Sequence, residues 1–187
     1  GAPSSGDIRD FDLRVGEHGG NTYVYTFVVY ESTGVYVRSM VPGGSATWTQ
    51  IASGSNWEEV CADRNVETPQ HIFCGYSDQT GALKLVSSAN AGATWGNLRS
   101  VASAIRQPAV CAGGAGYVYI TYLFRTDSVR YQVGRYTNNL ISPTYIFNFV
   151  DNNAANRFED ISIAAARTSP GASQTAIILN TYRHNTS

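Results

Sequence analysis

One pattern recurs four times along this chain and leaves few folds open to it. The segment Tyr23-Val24-Tyr25-Thr26-Phe27-Val28-Val29-Tyr30 returns as His71-Ile72-Phe73-Cys74-Gly75-Tyr76. It returns again as Tyr117-Val118-Tyr119-Ile120-Thr121-Tyr122 and as Ala176-Ile177-Ile178-Leu179-Asn180-Thr181-Tyr182, at steps of about 46 to 59 residues. Each segment is rich in aromatic and β-branched residues, which suit a pleated surface. Each follows a shorter apolar run, namely Phe11 to Val15, Val60 to Ala62, Pro108 to Ala112 and Ile161 to Ala166, across a Gly-, Asn- or Pro-containing connection that reads as a hairpin turn. Third strands follow over Gly34 to Ser39, Ala82 to Ser87 and Ser128 to Val133, with the period-2 alternation of half-buried strands. Fourth strands begin at Thr47-Trp48, Thr94-Trp95 and Thr144-Tyr145. Four antiparallel strands in about 40 to 50 residues match one blade of a β-propeller.

Composition agrees with this all-β reading. The 187 residues include 18 Gly and 12 Tyr but a single Met, and no stretch competes as a helix. With 43% hydrophobic and 14% charged residues, disorder and coiled coil are excluded. The formal net charge of −1, without long runs of either sign, argues against nucleic acid as a partner. No apolar run approaches the roughly 20 residues of a membrane-spanning helix. The opening Gly-Ala-Pro-Ser-Ser-Gly lacks the basic and apolar parts of a signal peptide, so an exported form is expected to have lost its leader. Three cysteines fit no zinc or redox spacing. Cys61 and Cys74 fall on neighbouring strands of one hairpin, where either a disulfide or two buried thiols would be acceptable.

Between the third and fourth strands of the second unit lies Ser88-Ala89-Asn90-Ala91-Gly92-Ala93-Thr94-Trp95. It resembles the Asp-box, S-x-D-x-G-x-T-W, of the sialidase-like (BNR) propeller superfamily, with Asn90 at the Asp position. The physical need is a short acceptor side chain for amides inside the turn, a Gly for positive φ and a Trp that packs the hairpin onto the blade. The first unit has a looser relative from Ser39 to Trp48, longer by two residues and without a carboxylate. The third, Arg135 to Leu140, is fainter, with Tyr145 where Trp would stand. These residues (Ser88, Asn90, Gly92, Thr94, Trp95 and Trp48) are expected to serve folding rather than catalysis.

The units divide the chain into blades at about 8–57, 58–104 and 105–157, with a half blade over 158–187. The resemblance implies about six or seven blades in a full ring. Some three and a half blades would therefore leave a bare apolar face and an unpaired strand edge. The remaining blades, from a longer chain or a second subunit, are the expected partner.

Sialidases hold a substrate carboxylate with three arginines and use a Tyr–Glu pair and an Asp, so the resemblance also raises an enzyme. Arg106, in Ile105-Arg106-Gln107-Pro108, partly matches the family's arginine segment. Arg9, Arg14 and Arg64 lie near first strands, which line a propeller's channel, and Asp12 and Asp63 fall at comparable points in successive units. Arg9, Arg14, Arg64 and Arg106 are thus candidate ligand contacts, and Arg106, Asp12 and Asp63 candidate catalytic groups. Solvated ion pairs at the channel mouth are the alternative. Asp7, Asp10 and Asp12 could ligate calcium, without the regular spacing of a dedicated loop, and no other cofactor is implied. The function expected is a noncatalytic, extracellular or cell-surface module that binds glycan or protein. The alternative is a sialidase-like hydrolase with catalytic residues in further blades.

Overall fold

A computed structural model describes residues 6–65, 68, 70–113, 116–126, 130–137, 139–140, 143–150, 156–165 and 176–184. These residues form strands and turns only. The first sheet has the order β1 (Ile8–His18), β2 (Asn21–Tyr30), β3 (Gly34–Met40), β4 (Ala46–Ser53). The second runs β5 (Trp57–Arg64), β6 (Ile72–Asp78), β7 (Leu83–Ser88), β8 (Gly96–Ala102). The third contains β9 (Ile105–Ala112), β10 (Tyr117–Phe124), β11 (Arg130–Thr137) and β12 (Pro143–Val150), and the last pairs β13 (Asn156–Ala165) with β14 (Ala176–His184). Every neighbouring pair is antiparallel, so each sheet is an up-and-down meander.

The sheets stack face to face, and alternation along each strand supplies an apolar residue set to either side. Tyr25, Phe27, Val29, Val35 and Val37 of the first sheet meet Trp57, Val60, Ala62, Ile72, Cys74, Tyr76 and Val86 of the second. The second sheet's other face, with Cys61, Phe73, Leu83 and Leu85, meets Val110, Ala112, Val118, Ile120, Tyr122 and Tyr136 of the third. Cys111, Tyr119, Leu123 and Val133 then meet Ile161, Ile163 and Ala165 of β13. The first strands β1, β5, β9 and β13 lie side by side in that order, at the inner edge of the stack.

The three cysteines are free and buried, so no disulfide links Cys61 to Cys74. The register explains this. Cys61 is opposite Gly75, and Cys74 is opposite Ala62. One residue of offset puts the two sulfurs on opposite faces of the sheet, Cys61 toward the third sheet and Cys74 toward the first.

The turn from Ser88 to Trp95 closes as the sequence requires. Ser88 Oγ accepts from the amides of Asn90 (3.3 Å) and Gly92 (2.9 Å), and Asn90 Oδ1 accepts from the amide of Thr94 (2.9 Å). Asn90 Nδ2 donates to Thr94 Oγ1 at 2.8 Å, and Gly92 has φ 84°. Trp95 donates through Nε1 to the Gly92 carbonyl and sets its ring edge-on to Phe27 of the first sheet, with centroids 5.9 Å apart. The turn therefore ties one blade to the preceding one. Leu140, in the corresponding turn of the third sheet, is buried against the second sheet and does the same with an aliphatic side chain. Trp48 instead lies within β4 beneath the Arg38 guanidinium, 5.9 Å from it. The side chain of Tyr145 lies outside the described residues.

Candidate functional site

First strands at the inner edge have amides with no fifth strand to receive them, and the chain supplies acceptors from the strand next door. Asp10 Oδ2 accepts from the Val60 amide at 2.8 Å, and Asp12 Oδ2 from the Ala62 amide at 2.7 Å. One sheet further on, Glu59 Oε1 accepts from the Gln107 amide and Asp63 Oδ2 from the Ala112 amide, both at 2.8 Å. Partners are 48 to 50 residues apart, one repeat, so the same stitch is made between successive sheets. The other oxygens are also engaged at Asp10, whose Oδ1 accepts from the Phe11 amide, at Asp12, which takes the Leu13 amide, and at Glu59, which takes the Ser77 hydroxyl. Burial pushes Asp10 and Glu59 above the ordinary carboxylate range, and the amide bonds they accept oppose that rise.

The stitches begin just past a recurring bulge. Register slips between Ile8 and Asp10 in β1, between Trp57 and Glu59 in β5, and between Phe158 and Asp160 in β13; in β9 the slip falls between Arg106 and Ala109. An extra residue there re-aims the following side chain. The bulged residues carry a rim at that end of the inner strands. Arg9 pairs with Glu31, Gln79 donates to Glu31 at 2.8 Å, Arg125 donates to the Gln79 carbonyl at 2.9 Å, and Arg125 pairs with Glu58.

At the opposite end of the same strands opens a cleft of about 530 Å³. Its walls are Arg14 of β1, Asp63 of β5, Val110–Ala112 of β9 and Ile163–Ala165 of β13. Arg14 is held there by Nε donating to the Ala62 carbonyl (2.6 Å) and Nη1 to the Leu13 carbonyl (2.9 Å). Its guanidinium also pairs with Asp12 at 2.7 Å and reaches Asp63 Oδ1 at 3.9 Å. Nη2 has no partner among the described residues. Cys111 lines this cleft, but burial, reinforced by Asp63, pushes its thiol up to about 12, so it is no nucleophile at neutral pH.

The candidates of the sequence separate accordingly. Arg14 and Asp63 come together in the cleft, with Asp12 immediately behind. Arg9 belongs to the opposite rim. Arg64 lies flat across Gly16, where an added Cβ would come within 2.5 Å of it, and donates to the Glu17 carbonyl. Arg106 is half-buried in β9 opposite Leu123 and does not line the cleft. Among the described residues no group of three or more His, Cys, Asp or Glu is placed to hold a metal, and the carboxylates of Asp10 and Asp12 hold amides instead. The ends of β9 and β13 also line this cleft and were not among the sequence's candidates. Their signal was the small residue that ends these first strands, Ala112 and Ala165.

No protein-family model and no curated protein sequence matches this chain. Among solved structures it is similar to the catalytic domain of a GH62 α-L-arabinofuranosidase from Coprinopsis cinerea, with a TM-score of 0.51 and 12% identity over 98% of this chain and 70% of that one. It is also similar to an α-L-arabinofuranosidase (CtGH43) of Clostridium thermocellum ATCC 27405, with a TM-score of 0.47 and 12% identity over 94% of this chain and 71% of that one. The likeness to the GH62 domain bears on the fold alone, that of a β-propeller enzyme.

Proposed function

We propose that this chain is a noncatalytic β-propeller module, extracellular or on a cell surface, that binds glycan or protein within a ring completed by further blades or a second subunit. One observation carries the reading: the inner-strand carboxylates that could have served as acid and nucleophile hold the amides of the next sheet. A carboxylate fixed in this way is a poor candidate for a moving proton or a covalent bond. The incomplete ring is supported by the outer face of β1, where Phe11, Leu13 and Val15 are 66%, 49% and 56% exposed although the equivalent face of every following sheet is covered.

A second reading, a glycoside hydrolase, is favoured by Glu59, a carboxyl whose burial keeps it protonated to higher pH than usual, as a general acid requires. The GH62 neighbour described above is a hydrolase domain of the same fold. In the sequence-level version of this reading the enzyme is sialidase-like, with its remaining residues in other blades. Hydrolysis of fluorogenic sialosides and α-L-arabinofuranosides decides between the two. No turnover is expected. Turnover that disappears in Glu59→Gln or Arg106→Ala would overturn the noncatalytic reading.

A further inference from the structure

We infer that the outer face of β1 seats a second copy of this chain, face to face and antiparallel, an inference that rests on the incomplete-ring reading and names its second subunit. Ile8, Phe11, Leu13 and Val15 are exposed along this one strand. Val24, half-buried opposite Val15 in β2, widens the patch. Elsewhere among the described residues the large apolar side chains left so exposed are Leu98 and Val150, one on each of two outer strands. A continuous stripe of this kind is a surface for association.

The stitches between sheets restrict what can sit there. In β5 the amides of Val60 and Ala62, just past the bulge that follows Trp57, receive Asp10 and Asp12 of the preceding sheet. Phe11 and Leu13 hold the same places past the bulge that follows Ile8. Their amides are already taken by their own strand, by Asp10 Oδ1 at 2.8 Å and Asp12 Oδ1 at 2.7 Å. A sheet that brought the repeat's carboxylates would find those amides occupied and would bury acids without partners. The occupant is therefore apolar where it meets β1 and brings no acid. The outer face of β1 itself meets that demand, because Asp10 and Asp12 reach the other way, to β5.

Charge sets the direction. Arg9 stands at one end of the stripe, its side chain 45% exposed although it pairs with Glu31, and exposed Glu17 stands at the other. Parallel strands would set Arg9 against Arg9 and Glu17 against Glu17. Antiparallel strands, related by a two-fold axis near Leu13, set Arg9 against Glu17 twice and Phe11 against Val15. That axis runs outward from the inner edge, so both copies keep their first strands on one side and the copy's first sheet becomes the next blade. Arg38, farther out on β3, stacks on Trp48 and lies at the margin of the seam.

The test pairs sedimentation equilibrium of the 187-residue chain with cysteine cross-linking. Glu17→Arg sets cation against cation at both ends of the seam and should weaken the dimer about fivefold at low salt, an effect that fades in about 1 M salt. Phe11→Cys and Val15→Cys chains, mixed and treated with a short bis-maleimide, should cross-link to each other faster than either does to itself. Cys61, Cys74 and Cys111 are buried and stay silent, and Ser100→Cys, exposed on β8, should give no cross-linked dimer. The cross-linking decides the matter if Glu17→Arg does not fold. Phe11→Cys preferring itself, or a dimer unmoved by Glu17→Arg at low salt, would overturn the antiparallel copy while leaving the incomplete ring intact. A parent that is monomeric across the concentration range would remove both.

Discussion

Gly81 has φ 78° in the turn after β6, and an added Cβ would lie 2.4 Å from the Ile105 nitrogen and 2.5 Å from its oxygen. Both atoms are backbone and cannot swing aside, so Gly81→Ala is expected to destabilise the fold by about 3 kcal/mol in urea unfolding. Asp10 and Glu59 make a different prediction. Burial raises both above the values they have in the unfolded chain, so the folded state binds their protons more tightly. Their contribution favours the fold in acid and is lost as pH rises from the ordinary carboxylate range through the raised values. Stability measured from about pH 4 to 7 should therefore fall more steeply with pH in the parent than in the double variant Asp10→Asn, Glu59→Gln, whose side-chain oxygens still accept the amides. Equal slopes would contradict the burial argument. The thiols of Cys61, Cys74 and Cys111 are all pushed up by burial, so dithiothreitol should leave the unfolding temperature unchanged. None of these features was legible in advance. The register that separates Cys61 from Cys74, and the strand 48 to 50 residues away that receives each acid, are properties of pairing rather than of neighbouring residues.

The turn from Ser88 to Trp95 shows what a single element can announce. Its residues specify the hydrogen bonds they make, since each acceptor and amide lies within the same eight positions. Asn90→Ala removes the acceptor of the Thr94 amide and should lower stability by about 1 to 2 kcal/mol, while Asn90→Asp keeps Oδ1 and should stay near the parent. Trp95→Ala should cost about 3 kcal/mol by stripping an aromatic contact from Phe27 across the sheet interface. Chemical denaturation of the three variants checks both values, and an Asn90→Ala variant as stable as the parent would remove the turn from the account. Strand order was equally readable, because antiparallel meanders follow chain order and second strands such as β6 and β10, buried on both faces, stand out as short apolar runs. The bulges were not. They insert one residue just where the first strands turn polar, and the sequence there reads as the strand's beginning rather than its interior. Arg14 and Asp63 stood out as candidates, whereas the ends of β9 and β13 that line the same cleft did not.

For the whole molecule, the repeat carried the propeller fold, with which the likeness to the Coprinopsis cinerea domain agrees, while the sialidase resemblance rests on one turn. The turn is a local solution to a local problem and does not identify the chemistry at the inner strands. The sheets are stitched along their inner edges, and the exposed outer face of β1 is where the proposed ring would seat another blade. Phe11, Leu13 and Val15 in contact with water give that face a strong tendency to associate. Sedimentation equilibrium of the 187-residue chain, beside Leu13→Lys, tests this directly. The parent is expected to sediment as a multiple of its 20.2 kDa mass, and Leu13→Lys to return it toward one chain. A parent that stays a soluble, compact monomer across the concentration range, indistinguishable from Leu13→Lys, would contradict it.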